Sequence, residues 1–384
     1  MASWALLAEF VPLYPLYSLL FVHAGLSRAE ISGLFALWSA SGFMAEIPAG
    51  ALADRFSRRA AIAVAGVSQA CGYSLWAVVP GLVGFAAGFV LWGLGGALSS
   101  GALEALLYDG LAEVGAESRF PSVLGVVSAA GLLAQLPTAL AASLLLSAGG
   151  YPLVAWVSVG CCLGAAMLAV RLPEASRRDG RAETASYLVL LRAGVVEALT
   201  RPALRGAVAA VALVSGVDAI EEYFPLLAQS WGVAVRVVPL AVVGIPVAGA
   251  ACALLAGRAS GLRPSRPGTL ACLLGAGALV LGLVGLLQRP VGLAGVAIFY
   301  GLFRLVLVVV EARLQERIAG PSRSTVTSVA AMLTEVVTLG VFGAWALGGV
   351  EVVVAGLSAV VVVLPWLLRS SKAQPPADAS RAES

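Results

Sequence analysis

Five ionisable residues stand where the chain is otherwise apolar. Asp218, Glu221 and Glu222 fall in "GVDAIEEYFPLL", Arg304 in "IFYGLFRLVLVVVEARL" and Glu335 in "AMLTEVVTLGV". A charge held in hydrocarbon costs at least about 2.5–3.5 kcal/mol, so each such residue needs a partner or a task. Two readings are open. The charges neutralise one another, Arg304 with Asp218 or Glu335, and never meet a solute. Or they bind a charged solute and move protons, because a carboxylate that alternates between a cation and an apolar enclosure takes up and releases one proton per cycle. For proton transfer Asp218 ranks first, since Arg304 is the one mid-stretch cation in its reach. Glu221 follows, a helical turn further on, and Glu335 is third.

A second group is compact. In "EIPAGALADRFSRRA" (46–60) an apolar stretch ends in Asp54, Arg55, Arg58 and Arg59, then resumes at once. A carboxylate at such a turn is stabilised by a helix N-terminus by about 0.3–1 kcal/mol. The arginines need acids, and Asp109, at the end of the fourth apolar stretch, is best placed to pair with one of them. Contacts of this kind are expected to tie the two halves of the chain together in one state and to part in another. Glu46 and Gly50 belong to the same neighbourhood. Glu9, Glu104 and Glu311 stand near the ends of apolar stretches, where snorkelling to the membrane surface accounts for Glu104 and Glu311.

Other chemistries lack their residues. His23 is the only histidine, the five cysteines (Cys71, Cys161, Cys162, Cys252, Cys272) have no ligand spacing, and no P-loop or nucleophile elbow occurs. No metal, cofactor or enzymatic activity is expected. A net charge of +3, with no basic run interleaved with aromatics, gives no nucleic-acid footprint.

The elements that carry these residues follow from composition. Sixty per cent of the residues are hydrophobic, 12% are charged, and the mean hydropathy is +0.96. A soluble globule has about 25% charged residues, so hydrocarbon must surround most of this chain. A membrane-crossing helix needs about 20 apolar residues. Twelve such spans fit, near 4–23, 30–53, 60–79, 82–107, 120–147, 152–171, 205–228, 233–256, 267–287, 291–312, 324–347 and 350–368. The N-terminal stretch reads as a retained first span. With the N-terminus inside, every Lys and Arg except Arg28, Arg236, Arg289 and mid-span Arg304 falls on the cytoplasmic side. Both termini are therefore expected in the cytoplasm, and the excess of arginine over lysine, with much Ala, Gly and Val, suggests a high-GC bacterium, whose inner membrane is the expected location.

The expected domains are a six-helix bundle over 1–171, a linker with an amphipathic surface helix over 172–204, a second bundle over 205–369 and a disordered tail over 370–384. The halves look duplicated. "LADRFSRR" (52–59) matches "LAGRASGL" (255–262), "LEALLYDGL" (103–111) matches "VEARLQERI" (310–318), Arg119 matches Arg323, and "YPLYSLLF" matches "YFPLLAQS", all 203 to 210 residues apart. Transporters built from such repeats bind solute between them. Pro12, Pro15, Pro48, Pro137, Pro225, Pro239 and Pro246 are expected to kink their spans. Tyr14, Tyr17, Trp38, Trp92 and Tyr223 are candidates for the cavity wall or for the membrane interface.

The stretch Gly50, Leu52, Asp54, Arg55, Arg58, Arg59 resembles the signature loop between helices 2 and 3 of the major facilitator superfamily, with Ser57 where that pattern has glycine. "E-x-P-x-G" at Glu46, Pro48 and Gly50, with "SGALEALLYD" (100–109), resembles bacterial efflux members. "VLWGLGGALSS" (90–100) and "GVVSAAGLLAQLPTAL" (125–140) do not carry the motifs of the drug/proton antiporters. The resemblance implies an all-α fold of twelve helices in two bundles, with helices 1, 4, 7 and 10 lining a central cavity. It implies a monomeric secondary transporter of a small molecule, coupled to protons and directed to efflux of a drug-like compound. Uptake of a nutrient, uniport, or a transport-inactive sensor or assembly partner are the other outcomes.

Overall fold

The computed structural model describes residues 1–55, 57–173, 202–258, 266–318 and 323–369. The side chains of Asp54 and Arg55, the greater part of the 172–204 linker and the 370–384 tail lie outside the described residues, so the expectations placed on them do too. Helices account for almost everything described, and no strand occurs among these residues. That is what a bilayer demands, since a helix satisfies its own backbone and an open sheet does not.

In chain order the helices are α1 (Ala2–Glu9), α2 (Tyr17–His23), α3 (Arg28–Arg55), α4 (Arg58–Val78), α5 (Leu82–Glu113) and α6 (Phe120–Val170). The second half has α7 (Pro202–Gly216), α8 (Phe224–Ser230), α9 (Val238–Val242), α10 (Gly244–Arg258), α11 (Pro267–Leu287), α12 (Gly292–Arg317) and α13 (Arg323–Leu367). Seven described helical stretches are long and apolar enough to cross a membrane. Two of them, α6 and α13, are each a pair of crossings joined at a hinge. The hinge residues are Gly149–Gly150 and Gly348–Gly349, with Gly150 and Gly349 both at φ 65°. An L side chain rarely adopts that conformation, so glycine is required at both. The two hinges close the fifth-to-sixth corner of each half with nearly the same torsions, as a duplicated chain should.

Three spans expected to be single helices are broken. Span 1 divides into α1 and α2 around Pro12 and Pro15. Span 7 runs through a 3₁₀ segment, Val217–Tyr223, between α7 and α8. Span 8 is α9 and α10, which meet at Val243. Pro225 and Pro239 each stand at the start of a helix, where a missing N–H costs nothing. By contrast Pro48 and Pro137 sit inside helices that continue past them. In a membrane, broken backbone must find partners elsewhere. At the first break α6 supplies them. Ser158 Oγ accepts from the Leu13 N–H at 3.0 Å, and Thr138 Oγ1 donates to the Glu9 carbonyl at 3.4 Å.

Helix starts are set by short capping signals. Ser27 and Glu30 form a reciprocal capping box at the head of α3. Ser57, extended at φ −171°, caps α4 by accepting from the Ala60 N–H at 3.1 Å. That explains a serine where the family pattern has glycine, since both residues cap well.

The halves meet along an aromatic seam. Phe35 packs edge-on against Tyr223 at 5.3 Å and against Phe342 at 5.7 Å. Tyr223 stacks on Trp345 at 4.0 Å and shares a 2.9 Å hydrogen bond with Ser32. These contacts lie on the first part of α3, and they seal the end of the molecule opposite to Arg58 and Asp109.

Candidate functional site

Beneath that seal a cavity opens between the halves in two lobes. The first, of about 350 Å³, is lined by Glu9, Tyr14, Tyr17, Trp38, Trp92, Gln135, Thr138, Glu221 and Glu222 among others. The second, of about 510 Å³, shares Trp38, Trp92, Glu221 and Glu222 with it. It adds Ser39, Glu46, Ser100, Asp218 and Glu335, and so runs toward the end that carries Arg58.

The 3₁₀ segment of span 7 is what presents the acids. Side chains three residues apart eclipse in a 3₁₀ helix, so Asp218 and Glu221 project from one side. Both face Tyr300 on α12, whose hydroxyl lies 2.9 Å from Asp218 Oδ1 and 2.7 Å from Glu221 Oε2. One hydroxyl proton serves one of these acceptors at a time. Arg304, one turn beyond Tyr300 on the same face of α12, donates to Asp218 Oδ2 at 3.0 Å. Asp218, Glu221, Tyr300 and Arg304 thus form one hydrogen-bonded group at the cavity wall. The ion pair and a cavity-facing position occur together, so the two readings of these charges are compatible. Tyr300 carried no weight in the sequence, though its position four residues before Arg304 was a usable signal.

Glu335 stands in the same half as Asp218 and Glu221, and across the interface it accepts from Ser39 on α3. Glu222 lines both lobes and makes no hydrogen bond or ion pair among the described residues. Glu9 lines the first lobe. Under the match of "YPLYSLLF" with "YFPLLAQS", it is the repeat counterpart of Asp218. Glu104 and Glu311 are exposed and line neither lobe. Of the aromatic candidates, Tyr14, Tyr17, Trp38 and Trp92 wall the cavity, while Tyr223 is buried in the seal.

At the other end Arg58 donates to Asp109 and to the Ala105 carbonyl, the latter at 3.1 Å. Arg58 heads α4, where a cation opposes the helix dipole. The last turns of α5, with their negative dipole end and Asp109, offset that cost. The pair joins two helices of the first half. It does not bridge the halves, as contacts of this group were expected to. Arg59 is exposed on the same turn, Glu46 is an exposed lining residue of the second lobe, and a Cβ at Gly50 would meet nothing within 4 Å.

Broken helices around a cavity between two related six-helix halves narrow the fold to few possibilities, and sequence comparison decides among them. The family model described as Major Facilitator Superfamily matches residues 1–342. The chain belongs to this superfamily. Solved structures agree on the fold. A D-xylose–proton symporter is similar with a TM-score of 0.71 at 15% identity, over 97% of this chain and 98% of its own. The nucleoside transporter NupG gives 0.75 at 11% identity over 96% and 98%. A bacterial homologue of the human lysosomal transporter Spinster gives 0.66 at 12% identity over 96% and 92%. No curated protein sequence matches. The superfamily membership makes this chain a multi-pass membrane protein of the transporter class.

Proposed function

We propose that the chain is a proton-coupled secondary transporter that works by alternating access, with efflux of a small drug-like molecule as its direction. The observation that supports this most is the Asp218–Glu221–Tyr300–Arg304 group, set on a helix break at the wall of the central cavity. Two acids share one hydroxyl there, and one of them also holds the arginine, so protonation of either redistributes the hydrogen bonds of both. Helix breaks at cavity depth are where transporters place binding and coupling groups. The cavity at one end and the aromatic seal at the other fit one state of a rocking cycle.

In this reading Asp218 carries the proton, with Glu221 second and Glu335 third. Arg304 holds Asp218 ionised in one state and releases it in another. Asp54, Arg55, Arg58, Arg59 and Asp109, with Gly50 and Glu46 beside them, form the gate at the basic end, and the Arg58–Asp109 pair stiffens one of its walls. Positive-inside bias supports a cytoplasmic position for the basic end, both termini and the linker, and in this reading the protein acts as a monomer in a bacterial inner membrane. The bundles extend over 1–171 and 205–369. Efflux rests on the resemblance at residues 46–59 and 100–109.

The test is a solute screen in proteoliposomes with and without an imposed pH gradient. Asp218→Asn is expected to abolish gradient-driven movement and to spare solute exchange, which needs no net proton transfer. Full gradient-driven accumulation by Asp218→Asn, Glu221→Gln and Glu335→Gln alike would contradict the coupling assignment.

A further inference from the structure

We infer that the central cavity recognises an organic cation, held against Trp38, Trp92 and Tyr14 and neutralised by Glu222. This rests on the transporter reading and adds the class of solute. Three observations carry it. First, the two lobes are lined by the carboxylates of Glu9, Glu46, Asp218, Glu221, Glu222 and Glu335, and among the described residues no lysine, arginine or histidine lines either. Second, three of these acids are already engaged: Asp218 by Arg304 and Tyr300, Glu221 by Tyr300, Glu335 by Ser39. Glu222 is half-buried, faces both lobes and has no such partner among the described residues. A carboxylate that faces a confined cavity attracts a cation more strongly than one in bulk water, and a cation in the cavity is the group that would give Glu222 its counter-charge. Third, the wall beside it is built from large rings. Trp38 lies 5.1 Å from Trp92, and Tyr14 lies 5.2 Å from Trp92. Faces of tryptophan and tyrosine attract cations, tryptophan most strongly.

The alternatives fit less well. An anion would meet six carboxylates. A polyol would find Gln135 and Thr138 in the first lobe and Ser39, Ser100, Ser215 and Thr338 in the second, but each lobe sets three or more carboxylates beside them. Lobes of about 350 and 510 Å³ are large enough for a solute with aromatic or branched substituents.

The test uses two probes of matched size and opposite charge, tetraphenylphosphonium and tetraphenylborate. Equilibrium dialysis is run against the full chain in zwitterionic-lipid nanodiscs, with empty nanodiscs as the blank. Tetraphenylphosphonium should bind saturably and tetraphenylborate should not. Glu222→Gln should weaken binding by roughly tenfold or more, as loss of a desolvated charge partner does. Trp38→Leu should weaken it several-fold. In the unaltered protein benzyltrimethylammonium should displace the probe and benzyl alcohol should not, which settles the question even if a variant fails to fold. Equal binding of both probes, or an unchanged affinity in well-folded Glu222→Gln, would overturn the inference. Proteoliposomes that exchange a neutral or anionic solute but not tetraphenylphosphonium would refute the cation and leave transport standing. Saturable, Glu222-dependent binding of a probe that is never exchanged or accumulated would support the cation site and refute transport.

Discussion

A single hydroxyl holds the coupling group together. Tyr300 stands between Asp218 and Glu221, and without it the two carboxylates face each other with only Arg304 to moderate them. Tyr300→Phe removes one hydrogen bond to a charged acceptor, an effect of about 1.5–3 kcal/mol. Gradient-driven transport should then fall by on the order of tenfold, while exchange persists and the protein still purifies as a folded monodisperse species. Transport rates of Tyr300→Phe equal to wild type would show that the hydroxyl is incidental. The Asp218–Arg304 pair was legible in the sequence because unlike charges in hydrocarbon have few places to go. Tyr300 was not, because a tyrosine in an apolar stretch is unremarkable until the helix opposite is known to break and turn two acids toward it. Glu222 was legible only as a charge. That Asp218, Glu221 and Glu335 find partners and it does not is a fact of packing, not of pattern.

Most helix boundaries could be read from hydropathy, and α11 spans the same residues, 267–287, that apolarity alone assigns. The broken spans could not, since hydropathy is indifferent to whether an apolar residue is helical. Prolines marked the breaks imperfectly, because Pro48 and Pro137 are absorbed within continuous helices. The hinges were anticipated as boundaries, but the pairing of Gly150 with Gly349 in conformation needed the backbone. Gly349→Ala forces an alanine to φ 65°, ψ −144°, outside the left-handed helical well and in a region kept for glycine, at a cost of roughly 1–3 kcal/mol, and a lowered Tm in a thiol-reactive dye melt should report it. Gly150→Ala should lower Tm similarly, as the counterpart in the other half. At α4, Ser57→Ala removes a cap worth about 0.5–2 kcal/mol while Ser57→Gly loses only a few tenths. The predicted order of Tm is therefore wild type, then glycine, then alanine, and a glycine variant less stable than alanine would argue against the capping role. Ser158→Ala should cost about 1–3 kcal/mol, because it strands the Leu13 N–H in an apolar interior.

At the scale of the whole molecule, the duplicated halves, the aromatic seal at one end and the cavity reaching toward the other amount to one claim: the halves rock about the coupling group. The most direct measurement needs no knowledge of the solute. On a background with the five cysteines replaced, one spin-label pair is placed at Ala24 and Ser230 beside the seal. A second pair is placed at Ser118 and Ala312 at the basic end. Double electron–electron resonance is recorded in nanodiscs at several pH values, and again in Asp218→Asn. Rocking of the halves about the coupling group should give two distance populations for each pair, with weights that shift in opposite senses at the two ends as pH changes, and a population frozen against pH in Asp218→Asn. One unchanging distance at both ends, or ends that open and close together, would contradict it.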